Sequence, residues 1–190
     1  MTCGNLFVIS GPSGAGKGTV IARVLERVPR AWLSVSATTR APREGEQDGV
    51  NYFFMTEDEF KKLADEGGFL EWASYAGNYY GTPRRSVQEH MDTGDQVILE
   101  IEVQGALQVK ERMPEAEMVF IAPPSLEVLE ERLRGRGTED EATIRKRMDA
   151  ARVELSQQKE YDVCFVNDDL SAAVDEVVAH IEERAEGACV

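Results

Sequence analysis

The sequence is poor in positive charge and in cysteine, and it contains no long apolar run. Of its 190 residues, 21 are lysine or arginine and 35 are aspartate or glutamate, so the net charge is −14. This acidity argues against nonspecific nucleic-acid binding and against an anionic membrane surface as partners. Any anionic substrate must therefore be held by local clusters of arginine and lysine that work against the overall field.

Cysteine usage indicates a reducing compartment. Cys3, Cys164 and Cys189 are widely separated and form neither a Cys-x-x-Cys pair nor a cysteine–histidine metal motif, which predicts free thiols. No apolar stretch approaches the roughly 18 residues of a membrane span, and no basic-then-apolar leader opens the chain. We therefore expect a cytoplasmic protein, and its 42% hydrophobic content is enough for a sizeable core.

Short apolar runs recur along the chain and predict buried β-strands. The five runs are residues 6–9, 32–35, 97–99, 118–121 and 163–166. They are mostly continuous rather than alternating, which is typical of strands that are covered on both faces. Helical periodicity lies between them, for example in residues 19–28 and 171–184. This order predicts an α/β fold around a five-stranded parallel sheet.

Two stretches interrupt the alternation of strand and helix. Residues 36–85 are rich in turn residues and aromatics, and the alternation of residues 50–54 predicts a small half-exposed sheet. Inside this stretch the capping-box sequence that starts at Thr56 predicts a short helix that buries Phe60 and Leu63.

The second interruption, residues 125–158, is highly charged. One helix should end near Gly135 and Gly137, and another should begin at a capping box with Thr138 as its N-cap. The buried side of this second helix is expected to carry Ile144, Met148, Ala151 and Leu155. We therefore predict a core formed by residues 1–35, 86–124 and 159–190, with insertions at 36–85 and 125–158.

The strongest functional signal is a glycine-rich loop, Gly11-Pro12-Ser13-Gly14-Ala15-Gly16-Lys17-Gly18-Thr19. It follows a predicted strand and opens a predicted helix, which is the context that a phosphate-binding loop requires. Its backbone N–H groups would cradle the phosphates of ATP, and Lys17 would bridge the β- and γ-oxygens. Gly18 departs from the motif, which expects serine or threonine there. We therefore expect Mg²⁺ to be held by ATP and water, without direct side-chain ligation.

Arg40 and Arg43 predict a second phosphate site. They lie three residues apart with Pro42 between them, so both guanidinium groups can close on one phosphate. An isolated arginine pair is usually a solvated surface feature. Its coincidence with a phosphate loop and a tyrosine-rich insertion favours the phosphate clamp.

Six motifs, taken in this order, resemble those of guanylate kinases. They are GPSGAGK at 11–17, SATTRAPR at 36–43, NYYGT at 78–82, IAPPS at 121–125, RGRG at 134–137 and VNDD at 166–169. Many nucleotide enzymes share the first motif, whereas the second and third are much more specific. The resemblance implies a guanylate kinase-like domain over residues 4–184 with a three-layer P-loop fold. It also implies that the insertion 36–85 binds GMP and that residues 125–158 form a helical lid.

The resemblance also implies individual roles. The GMP phosphate would be held by Arg40, Arg43, Tyr52 and Tyr80, and the guanine would be surrounded by Ser36, Glu71, Thr82 and Glu102. A carboxylate at Glu71 can accept hydrogen bonds from both N1–H and the 2-amino group of guanine. Adenine offers neither in that arrangement, which would reject it by on the order of 10⁴-fold.

The segment that contains Glu100 and Glu102 departs from the family pattern, which commonly has aspartate at one or both positions. The extra methylene means that Glu102 must fold back, or the base must shift, to keep the contact. Glu100 follows a buried strand near the phosphates, and we expect it to act on a magnesium-bound water or on Lys17.

Basic residues cluster again in the second insertion, where residues 132–152 contain seven basic and four acidic side chains. A salt-bridged helical face, with pairs such as Glu141 and Arg145, would explain most of them. The resemblance implies that Arg132, Arg136 and Arg147 neutralise charge in the transfer together with Lys17 and Arg40. It places Asn167 and Asp168 beside the adenine.

The predicted reaction is direct in-line transfer of the γ-phosphoryl group from MgATP to GMP, without a covalent enzyme intermediate. His90 and His180 lie in helical surface patterns and are assigned no chemical role.

One alternative is a noncatalytic guanylate-kinase-like interaction module, although such modules typically lack the loop lysine. A regulatory GTPase would need an Asn-Lys-x-Asp motif, which is absent. Glu71 argues against another nucleoside monophosphate kinase. The sequence assigns neither an oligomeric state nor a residue that reads the ribose.

Overall fold

The structure, a computed structural model, describes residues 4–135 and 140–187. The strands in these residues are β1 (Asn5–Ser10), β2 (Ala31–Leu33), β3 (Ala37–Thr38), β4 (Phe53–Phe54), β5 (Phe69–Tyr75), β6 (Asn78–Pro83), β7 (Gln96–Glu100), β8 (Glu117–Ala122) and β9 (Val163–Val166). The helices are α1 (Lys17–Arg27), α2 (Glu57–Asp65), α3 (Arg84–Asp92), α4 (Val103–Arg112), α5 (Leu126–Gly135), α6 (Glu141–Ser156) and α7 (Leu170–Gly187), and a 3₁₀ turn spans Gln158–Glu160.

The core is a parallel sheet with the strand order β2-β7-β1-β8-β9, which confirms the predicted five-stranded α/β fold. Strand β1 lies in the centre, and its alternate side chains enter two different clusters. Phe7 and Ile9 pack with residues of α1 and α7, whereas Leu6 and Val8 pack with residues of α3 and α4. Because both faces are covered, the strand reads as a continuous apolar run, and the sheet forms the middle of three layers.

The first insertion contains a second sheet with the strand order β4-β3-β6-β5. Helix α2 covers it through Phe60, whose ring stacks on Phe69 at 4.3 Å between centroids. The predicted helix and its buried Phe60 are therefore confirmed, and Leu63 is partly buried in the same cluster. The strand predicted at 50–54 is shorter than expected, because only Phe53–Phe54 pairs with β3 and Val50 is 64% exposed in a turn.

The second insertion is a helical pair. Helices α5 and α6 pack through Leu129, Leu133, Ile144 and Met148, with Ala151 in the same cluster. The predicted N-cap at Thr138 is wrong: helix α6 begins after Asp140, whose carboxylate accepts a hydrogen bond from the backbone N–H of Thr143. Thr138 itself lies outside the described residues, as does Gly137. Aspartate caps a helix as well as threonine does, so two acceptable caps stood close together in the sequence.

Leu155 differs from the other residues predicted for the buried side of α6. It is only partly buried and packs against Val103 and Phe120 of the core instead of against α5. The last turn of α6 therefore leans on the core sheet, which anchors the helical pair at one end.

Both histidines are more buried than their surface patterns predicted. The ring of His90 stacks on Trp32 at 3.6 Å, and its Nδ1 lies 2.7 Å from Asp95. His180 lies 3.0 Å from Glu117 on β8 and is 19% exposed. Their contacts hold helices α3 and α7 against the sheet.

Two further expectations concern regions that the structure describes only in part. Cys164 is a free, partly buried thiol, whereas Cys3 and Cys189 lie outside the described residues. Within the described part of the chain, no helix combines the length and the apolar character that crossing a bilayer requires.

Helix α2 provides a test of the predicted capping box. The Thr56 hydroxyl accepts from the N–H of Glu59 at 3.3 Å, and the Glu59 carboxylate accepts from the N–H of Thr56 at 2.7 Å. Thr56→Ala should lower the free energy of unfolding by about 1 kcal/mol, because it leaves the N–H of Glu59 without its side-chain partner. Thr56→Ser, which keeps the hydroxyl, is the control in urea denaturation. Equal stability of the two variants would contradict this prediction.

Candidate functional site

The phosphate loop lies between β1 and α1, as predicted. Gly11 has a φ of +147° and Gly16 a φ of +91°, a region that side-chain-bearing residues rarely occupy. A side chain at Gly11 would also overlap the carbonyl of Ile121 on β8. The Lys17 ammonium donates to the carbonyl oxygens of Gly11 (2.6 Å) and Pro12 (3.3 Å), so it lies over the start of the loop. The loop N–H groups and this ammonium form a site suited to phosphate.

Asn167, which follows β9, holds the phosphate loop through a side-chain hydrogen bond. Its side-chain amide is buried and donates to the Ala15 carbonyl at 2.7 Å. A side chain at Gly16 would overlap that amide. The structure therefore shows Asn167 bracing the phosphate loop, a role that the sequence did not suggest, while Asp168 beside it is exposed.

Arg132 of α5 joins the same arrangement. Its Nη2 donates to the backbone carbonyl of Asn167 at 2.9 Å. Its Nη1 is buried and has no hydrogen-bond partner among the described residues. An unsatisfied buried donor is costly, so this nitrogen is a hydrogen-bond donor for which the described residues supply no acceptor.

The helical pair also contacts the loop through Arg147 of α6, whose Nη1 donates to the Ser13 hydroxyl at 2.8 Å. Beside this contact is a cavity of about 550 Å³, which Ser13 and Arg147 line together with Glu102 and Tyr75. Tyr75, at the tip of the β5–β6 hairpin, is 74% exposed, and the sequence did not single it out. Arg136, the third expected lid arginine, lies outside the described residues.

A second cavity, of about 410 Å³, lies between the insertion sheet and the ends of the core strands. It brings together five residues of the predicted acceptor site, namely Ser36, Tyr52, Glu71, Tyr80 and Glu102. Thr82 is next to it and donates to Glu71 at 2.6 Å across the β5–β6 pair. Gly105 and Gln108 of α4 also line this cavity and were not predicted.

Arg40 and Arg43 differ in their surroundings. Arg40 lies over the ring of Tyr52 at 5.4 Å, and its Nη2 donates to both carboxylate oxygens of Glu46 at 2.9 Å each. Arg43 has an exposed side chain, and its backbone N–H donates to Glu46 at 2.7 Å. The pKa of the Glu46 carboxyl lies below its usual range. The largest cause is the hydrogen-bonded ion pair of Glu46 with Arg40, and the next is the hydrogen bond from the backbone N–H of Arg43. No role was assigned to Glu46 from the sequence. Its position three residues after Arg43 is the signal that could have indicated a partner for these arginines.

Glu100 faces the phosphate loop at the position where the loop departs from the motif. Its carboxylate oxygens lie 3.7 and 3.9 Å from the point where a side chain on Gly18 would begin. Hard oxygen ligands of this kind suit Mg²⁺ and its bound water. Among the described residues, no three histidine, cysteine or acidic side chains converge on one point.

The carboxylate of Glu71 is the most buried acid of the acceptor cavity. It is 8% exposed, and this burial raises the pKa of its carboxyl, while the Thr82 hydroxyl opposes the rise. A buried carboxylate facing a cavity is ready to accept N–H donors from a ligand, because a ligand would relieve its loss of solvation.

The raised pKa of Glu71 predicts a pH-dependent stability in the ligand-free protein. Ionisation costs more in the folded than in the unfolded state, so stability should fall as pH rises from the ordinary pKa through the raised one. Glu71→Gln removes this titration, so the melting temperature of the variant minus that of the wild type should increase over this window and level off above it.

Thermal melts from about pH 4 to about pH 8 would measure this difference. Thr82→Val removes the hydroxyl that lowers the pKa, so it should extend the window to higher pH. A difference that decreases with rising pH would contradict the expected titration.

Comparisons with known proteins agree with this geometry. The family model "Guanylate kinase" matches residues 3–184. The chain is 56% identical over 170 residues to a guanylate kinase of Synechococcus sp. (strain CC9311), covering 90% of each chain. It is 53% identical over 174 residues to that of Streptomyces coelicolor, covering 92% of this chain and 88% of the relative. The crystal structure of guanylate kinase from Anaplasma phagocytophilum superposes with a TM-score of 0.74 at 34% identity, covering 97% of this chain and 87% of that one. The chain belongs to the guanylate kinase family.

Proposed function

We propose that this protein is a working guanylate kinase in which the phosphate loop takes ATP and the cavity of about 410 Å³ takes GMP. It transfers the γ-phosphoryl group of MgATP to GMP and releases ADP and GDP. The observation that carries the proposal is the buried Glu71–Thr82 pair, which faces the same cavity as Tyr52 and Tyr80. Glu71 can therefore accept hydrogen bonds from the edge of a guanine in this cavity. Glu100, which also lines the cavity, lies beside Gly18 of the phosphate loop.

The phosphate loop, residues 11–19, holds the phosphates of ATP. The hydrogen bond from Asn167 to Ala15 supports this assignment, since it holds the backbone of the loop in place. Asn167 and Asp168 then lie at the side of the adenine, with Asn167 acting on the loop through its amide and Asp168 exposed at the rim.

Cations neutralise the charge on the phosphoryl group in flight. In this proposal they are Lys17, Arg40, Arg132, Arg136 and Arg147. The buried, unpaired Nη1 of Arg132 supports its part, because a phosphate oxygen would satisfy it. Arg147 is already next to the loop through Ser13. With positioning and electrostatics supplied in this way, no protein nucleophile is needed.

Mg²⁺ fits this site as a companion of ATP. When bound, it would offset the negative charge of the phosphates. The residue that would face it is Glu100, whose carboxylate lies beside Gly18 and could accept a hydrogen bond from a metal-bound water. Because Gly18 has no side chain, the space between its backbone and Glu100 is open to that water.

The acceptor phosphate is assigned to Arg40, Arg43, Tyr52 and Tyr80, and the guanine to Ser36, Glu71, Thr82 and Glu102. The Arg40–Glu46 pair supports the first assignment, since it fixes the guanidinium above Tyr52 before substrate arrives. Arg43, whose side chain is exposed, would turn toward the phosphate on binding. No observation favours the noncatalytic interaction module, because the lysine and the arginine set of the kinase are present.

The substrate assignment is tested by turnover with different acceptors. ADP formation should be measured in a coupled assay with ATP and each of GMP, AMP, CMP and UMP. We expect turnover with GMP and a loss of on the order of 10⁴-fold with AMP, because adenine cannot satisfy Glu71. Turnover with AMP but not GMP would refute the guanine assignment. Folded protein without turnover on any acceptor would favour the interaction module.

The separation of the two nucleotide sites is tested by Arg43→Met. It should weaken GMP binding by about tenfold, the usual effect of losing one charge-assisted hydrogen bond, and leave ATP binding nearly intact. Arg85→Met, at an exposed arginine of α3, is the matched control and should change neither affinity. Calorimetric titration with each nucleotide measures both. An equal loss of ATP affinity in Arg43→Met would contradict the two-site assignment.

A further inference from the structure

We propose that Gly105 is a positioning residue for guanine recognition, because its missing side chain leaves the space in which the Glu71 carboxylate stands. This inference rests on the proposed function, in which Glu71 reads the guanine edge. Gly105 is the third residue of α4, and it is buried against β5, the strand that carries Glu71. Both residues line the acceptor cavity.

The distance between the two residues is short. A Cβ on residue 105 would lie 3.1 Å from Oε2 of Glu71, 3.4 Å from its Cδ and 3.5 Å from its Cγ. These three atoms are the nearest that such a Cβ would meet, and all of them belong to Glu71. A contact at 3.1 Å is tighter than an ordinary van der Waals contact, so the carboxylate would have to move by a few tenths of an ångström.

The backbone does not explain a glycine at this position. Gly105 is not among the glycines with positive φ, and it lies inside a helix, where alanine is favoured over glycine. Local propensity therefore opposes the residue that is present. Among the described residues, the side chain of Glu71 is the neighbour that disfavours a larger residue at position 105.

The carboxylate cannot yield freely, because its other oxygen is already engaged. Oε1 accepts the Thr82 hydroxyl at 2.6 Å, while Oε2 is the oxygen on the Gly105 side. Thr82 thus fixes one oxygen and the bare backbone of α4 bounds the other. Two parallel hydrogen bonds to a guanine edge need both oxygens in one plane with the base, so a methyl group at 105 would misalign them.

Gly105→Ala tests this placement. Its KM for GMP should rise about tenfold, since a small displacement at a binding group costs up to 10²-fold, whereas its KM for ATP should not change. Its melting temperature should change little, because the helix propensity gained by alanine opposes the strain of the displaced carboxylate. Gly187→Ala is the control, because Gly187 ends α7 and a Cβ there would meet no atom within 4 Å.

A double-mutant cycle with Glu71→Ala separates positioning from a general packing effect. In the Glu71→Ala background the second change, Gly105→Ala, should leave kcat/KM for GMP unchanged, since the contact partner is gone.

An equal loss in both backgrounds, or an equal rise in the KM for ATP, would overturn the proposal. If Gly105→Ala does not fold, the double variant should regain the fold, and a double variant that stays unfolded would overturn it as well. Absence of GMP turnover in the wild type would instead refute the proposed function.

Discussion

The arrangement of the site depends on one buried hydrogen bond, from the Asn167 amide to the Ala15 carbonyl at 2.7 Å. It joins the loop after β9 to the phosphate loop, and the backbone carbonyl of the same Asn167 accepts from Arg132 of α5. A single residue therefore links the core sheet, the phosphate loop and the helical pair. Because a buried amide without a partner is costly, this link favours one relative placement of the three parts.

The acceptor side is organised differently, around two carboxylates. Glu46 holds Arg40 by both oxygens and the backbone of Arg43 by one of them. Glu71 is held by Thr82 and bounded by Gly105. Both acids are placed by neighbours before any ligand binds, which lowers the ordering cost of binding. The charge of Glu46 serves to orient a cation, whereas the charge of Glu71 is itself what a guanine would meet.

The fold could be predicted from the sequence further than the site could. Strand β1 was readable because burial on both faces leaves a continuous apolar run, and the Thr56 cap because its partner Glu59 lies in the same turn. The Thr138 cap was wrong because the chain offered Asp140 nearby. Asn167 as a brace and Gly105 as a spacer were not readable from sequence alone. Their roles depend on partners 152 positions away, for Asn167, or on a different element, and neither leaves a periodic pattern.

A protein with a net charge of −14 must bind two anionic nucleotides, and its arginines show two ways of doing so. Arg132 is oriented by a neutral carbonyl, so its positive charge is not offset by that contact and its buried Nη1 still needs an acceptor. Arg40 is oriented by a carboxylate, so its charge is largely offset until a phosphate arrives. Arg132 therefore offers phosphate a charge that this contact does not offset, whereas Arg40 offers one that Glu46 already offsets. In the proposed function, the phosphate loop and its cations hold ATP, and the Glu71 carboxylate selects the nucleotide that accepts the phosphoryl group.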